Sequence, residues 1–129
     1  MKIPPGFNTL NAYMIVHDAP ALIEFLVHGL EGKESLRHEQ EGRIHHAQVQ
    51  VGNSTIMLSE ASQEYPAMAA AYYMYVADAD RAHVQALAAG ATEIMAVADM
   101  PYGDRHGGVR DPFGNVWWLA QRIVDGGFA

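Results

Sequence analysis

Seven histidines, fifteen carboxylates and no cysteine set the chemistry open to this chain. Histidine titrates near neutrality and works as a proton carrier or as a ligand for a divalent ion. His45 and His46 are neighbours, so strand alternation sends them to opposite faces and one ion does not easily take both. His106 follows Asp104 and Arg105 and stands four residues after Tyr102. These four residues make either a charged rim or a solvated loop with an Asp104–Arg105 contact of small value. His17 and His28 flank a first helix, His38 lies in a polar edge strand, and His83 sits on a second helix. If the protein is an enzyme, His46 or His106 is where its proton carrier is sought. Other catalytic templates are missing from the sequence. It has no Gly-x-Ser-x-Gly elbow, no phosphate-binding glycine loop, no cysteine nucleophile and no His-x-x-x-His pair.

The elements that must hold these residues read twice along the chain. Tyr13-Met14-Ile15-Val16-His17-Asp18-Ala19-Pro20 lines up with Tyr73-Met74-Tyr75-Val76-Ala77-Asp78-Ala79-Asp80, sixty positions later. Each copy is a strand of aromatic and branched residues ending in an aspartate suited to cap a helix. Leu22, Phe25 and Leu26 then recur at helical spacing, and Gly29 and Gly32 supply stop signals. In the second copy the inner helical face is read as Val84, Leu87, Ala88 and Ala91, with Gly90 as its C-cap. Three strands follow each helix. They are expected near residues 34–40, 43–51 and 54–60, then 93–98, 105–110 and 115–122. Glu41-Gly42, Gly52-Asn53, Pro101-Tyr102-Gly103 and Asp111-Pro112-Phe113-Gly114 are the turns between them. This is an α+β pattern of two tandem βαβββ modules in one domain. The first module covers about residues 8–60, the linker 61–69 and the second module 70–123.

Composition bounds the partners. A chain of 129 residues, half of it hydrophobic, fits one domain with a packed core. Its formal net charge is −7 with only eight dispersed Lys and Arg, which argues against nucleic acid. No apolar run reaches the length that spans a bilayer, and the first residues do not resemble a signal peptide. A cytoplasmic protein is the expectation.

Two hairpins carry a family likeness. Residues 43–59, from Arg43-Ile44-His45-His46-Ala47-Gln48-Val49 to Ser59, resemble the central hairpin of PhnB-like proteins. Tyr102-Gly103-Asp104-Arg105, followed by Val109-Arg110-Asp111-Pro112-Phe113-Gly114-Asn115-Val116-Trp117-Trp118-Leu119-Ala120, resembles their closing hairpin. These proteins belong to the vicinal oxygen chelate superfamily of glyoxalases, bleomycin-resistance proteins and dioxygenases. The resemblance implies a glyoxalase/bleomycin-resistance-type curved sheet around a cleft, and a homodimer. It also places His46, the start of the His-Ala-Gln-Val-Gln-Val run, near the cleft.

The superfamily's enzymes hold one divalent metal from four strand positions, and here the resemblance assigns those positions to Asn11, Met57, Ala71 and Trp118. Divalent ions of this kind need imidazole or carboxylate ligands, and the four residues supply none. The expectation is therefore no metal and no cofactor. What stands there instead suits burial of an organic molecule. The expected ligand-binding set is Asn11, Tyr13, His46, Met57, Ser59, Ala71, Tyr102 and Trp118, with Val116 and Ala120 on the Trp118 face and Trp117 and Leu119 turned to the core. The reading is metal-independent binding of a small hydrophobic or aromatic molecule, as in bleomycin resistance, and leans away from an enzyme. The alternative is a metal-dependent glyoxalase-type lyase or isomerase, or a dioxygenase-like enzyme, with relocated ligands such as His46, Glu60 and His106.

Overall fold

A computed structural model describes residues 1–128. In chain order it has β1 (Tyr13–Val16), α1 (Ala19–Gly29), β2 (Lys33–Gln40), β3 (Arg43–Val51) and β4 (Ser54–Glu60). These are followed by β5 (Ala71–Tyr75), α2 (Ala79–Ala88), β6 (Thr92–Asp99), β7 (Asp104–Arg110) and β8 (Val116–Arg122). The βαβββ order thus occurs twice, and β3 and β4 begin and end where the sequence places them. The chain divides into two compact units, Met1–Ala69 and Ala70–Ala129. Each holds one four-stranded sheet, ordered β1-β4-β3-β2 in the first unit and β5-β8-β7-β6 in the second. In both, the first strand runs parallel to the last and the other pairs are antiparallel. Among the described residues, no helix is long and apolar enough to cross a membrane.

In the first unit, α1 covers one face of the sheet. Asp18 adopts a left-handed conformation, φ 67°, which aspartate tolerates better than most residues, and its carboxylate accepts from the Ala21 amide. Glu60 at the end of β4 accepts from the amides of Asp18 and Ala19, so two carboxylates serve the positive end of the helix. Leu22, Phe25 and Leu26 are buried as their spacing predicts, against Met14, Val49 and Leu58 of the sheet. Each such side chain contributes roughly 1.5–3 kcal/mol by leaving water. The opposite face of this sheet is not covered by a helix and carries Tyr13, His46, Gln48, Met57 and Ser59.

In the second unit, α2 corrects the sequence reading. Its buried residues are Ala79, His83 and Ala86, while Val84 is 66% exposed and Ala88 is exposed. The cause lies in β7. A Cβ on Gly107 would come within 2.7 Å of the Met95 carbonyl and 2.8 Å of His83 Nδ1. The missing side chain lets the helix settle on the sheet through small residues and an imidazole, with His83 Nε2 bonded to Glu93 at 2.7 Å. Trp117 and Leu119 face this core as predicted. The turn Asp111–Gly114 is a hairpin corner in which Gly114 takes φ 88°. Buried Asp111 accepts from the amides of Phe113 and Asn115, from the Asn115 side chain and from the Trp117 indole.

Candidate functional site

The uncovered face of the second sheet concentrates aromatic and charged groups. Parallel register pairs Tyr73 with Trp118 and Tyr75 with Ala120, so these side chains share a face. On β7 the same face carries Asp104, opposite Arg122, and His106, opposite Ala120. Tyr73 and His106 meet edge to face at 5.5 Å, His106 and Trp118 at 5.9 Å, and Tyr102 lies stacked against His106 at 5.9 Å. Gly108 makes room for the indole: a Cβ there would lie 2.3 Å from Trp118 Cζ3.

Beneath the rings sits a fully buried carboxylate. Asp104 has no exposed surface. It accepts from the Tyr73 hydroxyl at 2.5 Å, the Tyr75 hydroxyl at 2.9 Å and Arg122 Nη1 at 3.0 Å. Burial pushes its pKa up, but the bonds from Tyr73, Arg122 and Tyr75 outweigh burial and hold it below the ordinary aspartate value. The Tyr73 phenol moves the other way. Desolvation raises it first, and the adjacent Asp104 charge raises it further, so it stays neutral and donates.

His106 is nearly buried, and its proton can be located. Nδ1 lies 3.1 Å from the Gly107 carbonyl, which can only accept, so Nδ1 carries hydrogen. Nε2 is then the acceptor for the Tyr102 hydroxyl in the neutral ring. Arg105, read beside Asp104 and His106 in the sequence, points to the opposite face and pairs with Asp80 and Asp99. Both readings of Asp104, Arg105, His106 and Tyr102, the charged rim and the solvated loop with an Asp104–Arg105 contact, are therefore corrected. Asp104 is an interior anion partnered by Arg122, eighteen residues away.

The first unit repeats part of this arrangement more plainly. Tyr13 pairs with Met57 in register as Tyr73 pairs with Trp118, and Gln48 stands beside Met57 as Gly108 stands beside Trp118. His46 thus occupies the place of His106, and its ring lies 5.8 Å from that of Tyr13. Its Nε2 is 3.0 Å from the Gln48 amide and its Nδ1 is 3.4 Å from the Tyr13 hydroxyl. Ser59 lies two residues further along the same face as Met57, opposite Ile15.

Of the expected ligand set, the structure brings Tyr13, His46, Met57 and Ser59 onto one face of the first sheet. Ala71 and Trp118 share a face of the second, with Tyr102 at its edge against His106. Asn11 stands apart. It precedes β1, and its side chain is bonded at both ends to the backbone of Asn8, at 2.9 and 2.6 Å. The sequence reading passed over Tyr73, Tyr75, Asp104 as an interior anion, and Arg122. A signal for one of these existed, because Tyr73 stands sixty residues after Tyr13 of the expected set, as His106 stands sixty after His46.

The donor chemistry for a divalent ion is poor. Asn11 is committed to Asn8, Met57 offers a soft thioether, Ala71 offers nothing and Trp118 presents an indole. Glu60, a candidate relocated ligand, is held by two backbone amides at the start of α1. Among the described residues, no three His, Cys, Asp or Glu side chains are grouped to hold an ion. These residues do not fit the metal of the related enzymes.

Comparison with known proteins agrees with this architecture. Residues 7–119 match the sequence model of the Glyoxalase/Bleomycin resistance protein/Dioxygenase superfamily. The chain is 31% identical to the uncharacterised protein Mb0911c of Mycobacterium bovis, the match covering 88% of this chain and 83% of that one. The fold is similar to that of TioX from Micromonospora sp. ML1, with a TM-score of 0.78 and 23% identity over 90% of this chain and 99% of TioX. It is also similar to a glyoxalase/bleomycin resistance protein/dioxygenase family enzyme from Burkholderia phytofirmans, with a TM-score of 0.73 and 18% identity over 88% and 97% of the two chains. At these identities the structural likenesses speak for the fold.

Proposed function

The chain belongs to the Glyoxalase/Bleomycin resistance protein/Dioxygenase superfamily, and from that premise we propose that it binds a small aromatic or hydrophobic molecule without a resident divalent metal. The observation that carries this reading is Trp118. It stands where the resemblance expects a metal-binding carboxylate, with its ring over Gly108 and against His106. An indole cannot ligate the ion, but it offers a large flat surface on which a planar molecule stacks. Burial of apolar ligand area there contributes about 25 cal/mol per Å² before the costs of association. The Tyr102 and Tyr73 hydroxyl oxygens, whose hydrogens go to His106 and Asp104, keep lone pairs that accept from a ligand. The finer likeness to PhnB-like proteins and a homodimeric state belong to the same proposal, supported by the two hairpins and the family, and a cytoplasmic location is proposed with them. Sedimentation of the purified chain checks the dimer.

The test is a titration with a panel of planar heteroaromatic compounds, followed by tryptophan fluorescence and thermal shift. Elemental analysis of protein purified without chelators accompanies it. The expected result is saturable binding by protein free of stoichiometric metal, lost in Trp118→Ala while the fold persists. A stoichiometric divalent ion that disappears in His46→Ala or His106→Ala would overturn the proposal and restore the metal-dependent lyase. A site that binds only after Trp118→Ala would identify the indole as packing alone.

A further inference from the structure

The segment after β8 folds back on the same sheet in a way that marks a second binding feature. Arg122 Nη1 is anchored by the Tyr102 carbonyl at 2.8 Å and by buried Asp104 at 3.0 Å. Among the described residues, its Nη2 meets main-chain oxygens of the following segment, Gly126 at 3.0 Å and Gly127 at 2.5 Å. The Phe128 ring then lies 5.0 Å from the guanidinium carbon and edge-on to Tyr102 at 5.7 Å. Phe128 nevertheless remains 65% exposed, so it is laid against the site and not built into a core. The segment, with Tyr75 and Arg122, borders a shallow depression open to solvent.

Two contrasts show what this arrangement recognises. One edge of the guanidinium is fixed by a charged, buried partner, so its direction does not depend on the segment. The other edge is met by two consecutive neutral carbonyls followed by an aromatic ring. Because Asp104 already balances the charge of Arg122, a further anion would bring one net negative charge to a chain that carries −7. Neutral carbonyl oxygens are what the structure places on that edge.

We infer that Arg122, Tyr75 and Tyr102 form a subsite for a neutral, peptide-like aromatic amide with two neighbouring carbonyl oxygens, and that Gly126-Gly127-Phe128 is its intramolecular occupant. The segment competes with an incoming ligand of the same chemistry, and apparent affinity falls by the fraction of molecules in which it is seated. The inference goes beyond the binding surface at Trp118 and does not need it.

The probe is a Gly-Gly-Phe peptide with blocked, uncharged ends, titrated into the full chain and into full-length Phe128→Ala. Binding is read by the NMR shifts of the Arg122 guanidinium, and the heteroaromatic titration at Trp118 runs in parallel. Removing the ring's contacts with Arg122 and Tyr102 is expected to tighten peptide binding roughly ten-fold. Phe128→Tyr is expected to behave as the unaltered chain. Equal affinity in the unaltered chain and in Phe128→Ala, or peptide binding that leaves the Arg122 signals unmoved, would overturn the inference. So would failure of the peptide to bind Phe128→Ala, whether or not heteroaromatic ligands still reach Trp118. Loss of heteroaromatic binding alone would bear on the proposed function and not on this subsite.

Discussion

Replacing Gly108 by alanine probes the placement of the indole on which the proposed function rests. The new Cβ would stand 2.3 Å from Trp118 Cζ3 and 2.6 Å from Cε3. To reach ordinary contact at 3.4 Å the ring must retreat by about 1.1 Å. The obstacle is a side chain with an open face, so the ring tilts outward and the strand stays in place. Overpacking of this kind costs typically 1–3 kcal/mol. Alanine returns about 0.4–1 kcal/mol by restricting the unfolded chain. The net expectation is a loss of about 1 kcal/mol, a fall in Tm of roughly 3–6 °C for a chain of this size. Calorimetry reads the stability, and near-ultraviolet circular dichroism reads the changed setting of the indole. The same substitution made in a Trp118→Leu background meets no ring and is expected to be neutral or stabilising. An identical loss in both backgrounds would refute the reasoning, because the cost would then come from the backbone of β7 and the indole would not lie over Gly108.

Asp111→Ala leaves the buried Trp117 indole N–H and the Asn115 amide without their acceptor. At about 1–3 kcal/mol for each orphaned donor, urea unfolding is expected to show a loss of about 3 kcal/mol or more. For pH, the Asp104 carboxyl is lowered in the folded state, so its contribution is complete above the ordinary value of 3.8 and is lost as pH falls through the lower folded value. Tyr73 is raised, so its contribution is complete below 10 and is lost as pH climbs above that value. Chemical unfolding across pH is expected to show both limbs, with the acid limb reduced in Asp104→Asn and the alkaline limb reduced in Tyr73→Phe.

The duplicated fold was legible because its signals are local. The first strand of each unit is followed by an aspartate that caps a helix, and each hairpin turn carries a glycine with positive φ. The inner face of α2 was not legible from its own sequence. Periodicity gives weight to large apolar residues such as Val84, yet Val84 and Ala88 are exposed, Leu87 is half-buried and Ala91 buried, while Gly107 on a distant strand makes room for Ala79, His83 and Ala86 to pack. The partner of Asp104 was misread for a related reason. Arg105 is adjacent in sequence, but alternation along β7 sends it to the helix side, where Asp80 and Asp99 hold it. That signal was available. The pairing with Arg122 was not, since it depends on the register of β7 against β8.

The two units also show how one scaffold fills the same place on its sheet in two ways. In the first, Met57 lies beside Gln48; in the second, Trp118 lies beside Gly108. Each pair fills similar space on an uncovered face, one by two medium side chains and the other by a large ring over a bare Cα. Volume is conserved across the pair, and such exchanges are the kind that sheets tolerate best. The histidines at the common position kept their tyrosine neighbours, Tyr13 for His46 and Tyr73 for His106. Their surroundings then diverged. His46 rests on a neutral amide, whereas His106 is enclosed by rings beside a buried, compensated carboxylate. Orientation is therefore much more strongly fixed in the second unit, because Asp104 ties β5, β7 and β8 together through Tyr73, Tyr75 and Arg122. A rigid aromatic surface loses little entropy when it receives a ligand. That difference makes the second unit the place where tight recognition is to be sought, and the first a more adaptable counterpart.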